Sequence, residues 1–473
     1  MTMHSLGSEA RPLRVAIVGS GPSAFYAAEA LFKTGNLAAR VDMFERLPTP
    51  FGLVRGGVAP DHQNIKGVVK VYEKVAEHPG FHFFGNVLVG RDLRLDDLNE
   101  CYDRVIWAVG NEGDRRLDIP GEDLEGVFSA TEFVGWYNGH PDFQDREFLL
   151  ARAHRAVVVG NGNVAMDVAR ILVRDPNELA STDIAEPALE LLRRSAVTEV
   201  VLLGRRGAAQ AAFSPKEIQE IAALPGVDLV VPPEEIELDE VSAAWLEGDA
   251  PRSAKRNVEF LVQQSRAETS GAKRQVRCIF LASPVEILGE GGSVRGVRIQ
   301  RNELYADERG TPRPRGRDEY FEIQCELVLR AVGYHGVPVP GVPFDERSGT
   351  IPNDDGRVLT CRGGEAVPGH YVVGWAKRGP TGLIGTNSAC SKATVAALVQ
   401  DLTGAEAAAL SPNDERCAAQ RLAERGVDVV TYDDWRALDA WETSEGASRR
   451  KVRHKLGDVD AMLAVVRSLR TRQ

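Results

Sequence analysis

The sequence predicts an α/β protein with two Rossmann-like dinucleotide-binding domains, the second inserted into the first. Three observations carry this. Residues 14–45 run as a Val-rich strand, a Gly-x-Gly-x-x-Ala turn, an apolar-striped helix and a second strand ending in an acid. The strand, turn and helix recur at residues 156–173. Two later apolar runs, 102–109 and 326–332, feed into the same Ala-Val-Gly ending, expected where a chain crosses beside a nucleotide.

In the first unit, residues 15–18 are an apolar run read as a buried strand. Gly19 permits the tight turn and Gly21 lets backbone approach a pyrophosphate. Ala24 lets helix and strand pack closely, and the helix N-terminus faces the anion. Pro22 suits the first helical turn, where no N–H is needed. Ala24, Ala27, Ala28 and Leu31 give the helix one apolar face, Gly35 closes it, and the strand 40–44 delivers Glu45 to accept from ribose hydroxyls.

The Gly- and Pro-rich stretch after Glu45 reads as a cofactor-covering loop, followed by a helix at about 63–77 and strand-like residues 81–89. Residues 112–155 read as linker and turns.

In the second unit the turn is Gly160-Asn161-Gly162-Asn163-Val164-Ala165, with a helix at 164–173 and an extra one at 184–194. Its second strand, 199–203, ends in Gly204-Arg205-Arg206-Gly207 instead of an acid. Paired arginines suit a 2′-phosphate through charged, bidentate hydrogen bonds, which favours NADP(H) over NAD(H). Residues 213–223 read as a helix with Ser214 as N-cap and Glu217 completing a capping box. Strands are expected at 277–288 and 293–304, and a charged loop at 310–318. A strand at 370–374 then runs into the Gly-dense stretch 375–387, whose free N–H groups and Trp375 suit a flat ring, before a helix at 388–403. Helices at 413–425, 433–441 and 458–470 are expected to pack outside the first domain without chemistry of their own.

Composition bounds the rest. A chain of 473 residues with 43% hydrophobic and 26% charged residues is expected to be globular with more than one core. The formal charge of −11 argues against general nucleic-acid binding. No apolar run reaches the ~18 residues of a membrane span, and residues 1–14 read as a frayed tail. The six cysteines show no C-x-x-C or close pair, so no iron–sulfur cluster, other metal site or redox dithiol is expected, and the pattern fits a reducing cytoplasm.

The residues 50–55 (PFGLVR), 58–62 (VAPDH), 161–167 (NGNVAMD), 204–207 (GRRG) and 374–387 together resemble the adrenodoxin reductase family of ferredoxin–NADP+ reductases, which are built like glutathione reductase. The resemblance implies FAD in residues 1–113 and 333–473, the latter including the C-terminal helices, and NADP(H) in residues 114–332. It implies FAD contacts at Gly19, Ser20, Gly21, Pro22, Ser23, Glu45, Leu53, Val89, Trp375, Gly382, Leu383 and Ile384. It implies NADP contacts at Asn161, Gly162, Asn163, Val164, Arg205, Arg206, Glu217 and Gly382. Electrons would pass from NADPH through FAD to a small, transiently docked ferredoxin-like iron–sulfur protein. His62, in the covering loop, could steady charge or relay a proton, and Glu217 could act beside the nicotinamide. Two departures stand out. Trp375 occupies the place where many related flavoproteins have an acid. The helix after the Arg-Arg loop, 218–225, lacks the arginines that mammalian members use for docking, so a local basic patch drawn from Arg193, Arg194, Arg205, Arg206, Lys377 and Arg378 is expected instead, with Arg205 and Arg206 taken up by NADP. Three other readings share parts of the pattern. A dithiol-based reductase lacks its paired cysteines, a flavin-dependent monooxygenase would share both glycine turns, and a nucleotide-sensing binding protein would not turn over.

Overall fold

The computed structural model describes residues 6–248, 250–402 and 416–471. The chain divides into two compact units, Met1–Gly113 with Gly333–Gln473, and Asp114–Val332. No helix among the described residues is long and apolar enough to cross a membrane.

The first unit is built on strands β1 (Leu13–Val18), β2 (Ala39–Phe44), β3 (Phe81–Phe84) and β4 (Arg104–Trp107). β1 pairs in parallel with β2 and with β4, and β2 with β3. The strand Ala366–Val372 adds in parallel to the other side of β4, and two short antiparallel strands complete a seven-stranded sheet. Every residue of β1 is buried, which explains its unbroken apolar run. Helix α1 (Pro22–Phe32) lays Ala24, Ala27, Ala28 and Leu31 on the sheet, all 0% exposed. Truncating a large aliphatic side chain in such a core costs about 2–5 kcal/mol.

The second unit has a six-stranded sheet in the order Val127–Ser129, Leu327–Arg330, Arg155–Val159, Glu199–Leu203, Arg274–Ile279, Val227–Val230, parallel throughout. A three-stranded antiparallel ribbon, Ala282–Glu290, Ser293–Ala306 and Pro312–Gln324, stands apart from it in sheet order.

The structure corrects several expectations. The stretch 112–155 holds a strand and the helix Ala130–Tyr137, whose Phe133 and Tyr137 are fully buried. Residues 310–318, expected as a loop, are largely the start of the outer ribbon strand Pro312–Gln324. The helix expected at 63–77 is two, Gln63–Lys66 and Val69–Ala76, interrupted around Gly67. Strand β3 stops at Phe84, so Val89 lies beyond it. The N-terminal tail is partly pinned: Arg11 makes a bidentate pair with Asp103 (2.8 and 3.0 Å), which also accepts from the Arg14 N–H (3.0 Å). Residues 1–5 of that tail, and the first residues of the helix expected at 413–425, lie outside the described residues. The cysteines are not all unpaired. Cys101 and Cys417 form a disulfide across 316 residues of sequence, a separation at which spacing carries no signal. Beside it Arg425 pairs with Asp97 at 2.7 Å, and Arg421 pairs with Asp97 and Glu100.

Candidate functional site

Each unit presents its own site at a glycine turn, after β1 in the first and after Arg155–Val159 in the second. In the first unit, β1 delivers the chain into Gly19, at φ +100°, where a Cβ would stand 2.4 Å from the Ala108 carbonyl oxygen. Only glycine fits there, because both the torsion and the neighbouring backbone exclude a side chain. Gly21 caps α1, and nothing lies within 4 Å of where its Cβ would be, so the helix N-terminus opens onto free space. Pro22 takes the first helical position and Ser23 is buried behind it. β2 ends beside this turn. Ser20 Oγ donates to Glu45 Oε2 (2.6 Å) and the Leu47 N–H to Oε1 (3.1 Å). Burial raises the Glu45 carboxyl above its ordinary range, and those two donors oppose the rise.

Three further segments converge on this turn. The Phe51 N–H donates to the Ser20 carbonyl (3.0 Å), and a Cβ on Gly52 would approach Gly21 Cα to 3.0 Å, which sets Leu53 beside the glycine loop. Gly374 lies against Ser23, whose Oγ would be 2.5 Å from an added Cβ. The helix Thr386–Asp401 is tied to α1 by Ser391 Oγ donating to the Ser23 carbonyl (2.8 Å), and the loop ahead of it carries Gly382, Leu383 and Ile384. Leu383 is 71% exposed, whereas Ile384 packs against the core. Trp375 lies 5.2 Å from Tyr334, ring to ring, and its Nε1 is buried without an acceptor. Val89 is buried among Phe44, Val87 and Leu93, so it offers backbone more than side chain. His62 is buried at the start of the helix Gln63–Lys66.

Sequence reasoning missed three groups here. Asn111 is buried with neither side-chain atom partnered, and Arg378 has buried Nε and Nη1 without acceptors. Phe51 adopts φ +83°. An oxygen-rich flat ligand with a pyrophosphate supplies the partners such donors lack, so the residues present fit a flavin dinucleotide. Asn111 had a signal in its place directly after Ala-Val-Gly, and Phe51 and Arg378 lie in the stretches 50–55 and 374–387 that carried the resemblance. Arg378 is also a correction: with Lys377 it turns inward, donating to Asn387 Oδ1 (3.0 Å) while Lys377 reaches Thr394 Oγ1 (3.1 Å). Of the expected basic patch, Arg193 and Arg194 are exposed.

The second unit repeats the device. Gly160, at φ +132°, would bring a Cβ to 2.3 Å from the Ala331 carbonyl oxygen, so each first glycine abuts an Ala-Val-Gly crossing. Gly162 caps the helix Asn163–Val173 and has open space before it. Asn161 lies across Gly204, and Asn163 Oδ1 accepts from the Ser214 N–H (2.8 Å), joining the turn to the helix Pro215–Ala222. Val164, at the second position of its helix, packs against the core. The capping box expected of Ser214 and Glu217 does not form, since Ser214 makes no side-chain cap. The Glu217 carboxylate instead accepts from Arg170 Nη1 (3.1 Å), a guanidinium 1% exposed that also holds Asp167 (2.6 Å). A buried charge needs a partner more than a helix end needs a cap.

Arg205 is exposed and Arg206 half-buried, with no acidic partner for either among the described residues. Burial, and then the like charges of Arg205 and Arg313, depress the Arg206 guanidinium. Arg313 comes from the ribbon strand Pro312–Gln324, opposite Tyr305. The ribbon is fixed to the Arg-Arg loop, because Asn302 Nδ2 donates to the Arg205 carbonyl (2.8 Å). Arg313 is itself paired with Asp307 at 2.8 Å, which leaves Arg205 and Arg206 as the cations without an acid, and such a pair is a site for a phosphate dianion.

The description "Pyridine nucleotide-disulphide oxidoreductase" matches residues 13–224. The chain is 47% identical over 465 residues to the NADPH-ferredoxin reductase FprA of Mycobacterium tuberculosis, covering 96% of this chain and 99% of that protein. It is 41% identical over 467 residues to the mitochondrial NADPH:adrenodoxin oxidoreductase of Arabidopsis thaliana, covering 97% of this chain and 96% of that one. The solved structure of Mycobacterium tuberculosis FprA in complex with NADPH superimposes with a TM-score of 0.90 at 46% identity, over 96% of this chain and all of that one. Likeness of this extent, carried through both units, means that the chain belongs to the adrenodoxin reductase-type family of NADPH–ferredoxin reductases.

Proposed function

We propose that this protein is an FAD-dependent NADPH–ferredoxin reductase, with FAD at the first unit's site and NADPH at the second's. The observation that carries the reading is the contrast between two otherwise repeated units: one ends its second strand in a single acid, Glu45, the other in Arg205 and Arg206. Bound FAD supplies hydride acceptance and one-electron release, and the protein supplies binding, orientation and a dry pocket. Gly19–Ser23 cradle the pyrophosphate on the N-terminus of α1, and Glu45 accepts from the ribose. Trp375 and the backbone of Gly382–Ile384 bear on the ring. Asn161–Val164 hold the second pyrophosphate, and Arg205 and Arg206 hold the 2′-phosphate. Arg170 fixes the Glu217 carboxylate. His62 stands in the loop covering the first site.

The Glu45 assignment has a pH signature. Ribose hydroxyls donate to the charged carboxylate, so bound FAD lowers a pKa that burial has raised. Binding therefore releases a proton. FAD affinity is full above the raised pKa and falls by up to about tenfold per pH unit below it. Titrating the deflavinated protein with FAD across mildly acid pH is expected to show this fall, and Glu45→Gln is expected to flatten it. Parallel pH profiles for the two proteins would remove Glu45 from the ribose.

The direct test of function is the purified protein itself: yellow, releasing FAD on denaturation, and reducing cytochrome c from NADPH only when a ferredoxin is added. Ferredoxins are acidic and this chain carries −11, so a local patch must attract the partner. Arg193 and Arg194 are exposed at the end of the helix Glu186–Arg193. Screening acts over about 10 Å at 0.1 M salt. The ferredoxin-dependent rate should fall as salt rises while ferricyanide reduction changes little, and Arg193→Glu with Arg194→Glu should reproduce high salt. A carrier-dependent rate indifferent to salt would reject electrostatic docking.

A further inference from the structure

The turn that covers the glycine loop of the first unit is held in an unfavourable backbone conformation, and a helix near the C-terminus, with the segment after it, is what holds it. Phe51, at φ +83°, and Gly52, at φ +48°, are consecutive left-handed residues. Glycine adopts such a torsion freely; phenylalanine does not, and keeps it only where its surroundings over-determine it. This same turn presses on the cofactor loop, through the Phe51 N–H to the Ser20 carbonyl and through Gly52 against Gly21.

The surroundings come from the helix Tyr432–Ser448 and the segment that follows it. Glu442 is 0% exposed and binds both terminal nitrogens of Arg55, at 2.6 and 2.9 Å. Its remaining acceptor capacity is met by Arg453 Nη1 and the Leu456 N–H, both at 3.0 Å. Lys455 Nζ donates to the Arg55 carbonyl (3.0 Å). The Arg55 guanidinium lies over the Trp435 ring (5.2 Å), and Trp435 meets Phe51 edge-on (5.8 Å). Burial alone would lift the Glu442 carboxyl, but the guanidiniums of Arg55 and Arg453 outweigh it and keep it charged. Planar, bidentate pairing of this kind fixes direction as well as distance.

We infer that Glu442, acting through Arg55, is a positioning residue for the flavin: it locks the strained Phe51–Gly52 turn onto the Gly19–Ala24 loop and so sets how firmly FAD is retained. This rests on the assignment of FAD to the first unit. The measurement is the rate of FAD release from the holoenzyme, followed by recovery of free-flavin fluorescence after dilution, together with the melting temperature. Glu442→Gln and Arg55→Met should each speed release by about tenfold or more, the loss of a defined clamp on a strained turn. The double variant should release FAD no faster than Arg55→Met alone, because Glu442 works through that side chain. The KM for NADPH should stay within about twofold, since no proposed contact with that cofactor is touched. Lys455→Met leaves the buried ion pair intact and should speed release severalfold; it serves if Glu442→Gln does not fold. A lowered melting temperature with an unchanged release rate, multiplicative effects in the double variant, or an unchanged rate in Lys455→Met would overturn the inference. Wild-type protein purified without FAD would instead refute the assignment of the site.

Discussion

Replacing Arg205 and Arg206 together by alanine is expected to lower kcat/KM for NADPH by about 10²–10³-fold, with most of the change in KM. Each charge-assisted contact to a phosphate contributes roughly 1.5–2 kcal/mol in a partly exposed setting. Two of them give that range. NADH lacks the 2′-phosphate, so its kcat/KM should stay within about twofold, as for any group that makes no contact in the ground or transition state. Arg206 alone should account for more of the loss than Arg205, because it is half-buried while Arg205 is exposed. It also starts from a strained position, pressed by burial and by the like charges of Arg205 and Arg313. The dianion relieves that repulsion, so its binding is strengthened. Steady-state kinetics with both cofactors, and competition by 2′,5′-ADP, read the effect directly. Equal losses with NADPH and NADH would mean the pair supports the loop and does not select the cofactor.

The second large effect separates the two units. Gly19→Ala should yield protein with little or no flavin, because the methyl group meets the Ala108 backbone at 2.4 Å and the torsion is left-handed. Gly160→Ala meets the same obstacle at 2.3 Å from the Ala331 carbonyl. Backbone cannot step aside as a flexible side chain can, so each substitution costs upwards of about 3 kcal/mol at its own loop. The Gly160→Ala protein should remain yellow, with a normal flavin-to-protein absorbance ratio, while its flavin is reduced by NADPH at least about a hundredfold more slowly at subsaturating cofactor. Loss of flavin from both variants alike would show that the loops do not act as separate sites.

The two glycine turns were legible because their chemistry is local: strand, turn, helix and terminal residue fall within residues 14–45 in the first unit and 155–206 in the second, each the span of one βαβ unit, the second lengthened by an extra helix. The helix Ala130–Tyr137 was equally legible and was passed over. Ser129 and Glu132 form a reciprocal capping box, a pattern readable from the letters alone. The ribbon strand Pro312–Gln324 was not legible, since its residues are mostly exposed and no alternation of apolar side chains is required of it. Arg313 went unnoticed for that reason, although it stands near Arg206. The capping box read at Glu217 does not form, because Arg170, which claims its carboxylate, lies 47 positions earlier. The helix Tyr432–Ser448 showed no motif because its role is exercised through Arg55, 387 positions away from Glu442.

The order of strands in the seven-stranded sheet also governs how the molecule is made. β4 leaves the first unit's sheet at Trp107, and its outer neighbour, Ala366–Val372, is translated only after the whole of Asp114–Val332. At roughly 5–20 residues per second, the growing chain carries β4 with one open edge for about 13–53 s. The second unit, continuous in sequence, has all its sheet partners available during that interval. The first does not, and Trp375, the Gly382–Ile384 loop and Glu442 emerge later still. Cofactor loading is thus placed at the end of biosynthesis, after the nucleotide unit has folded, and an unprotected strand edge is the hazard the nascent chain must survive until then.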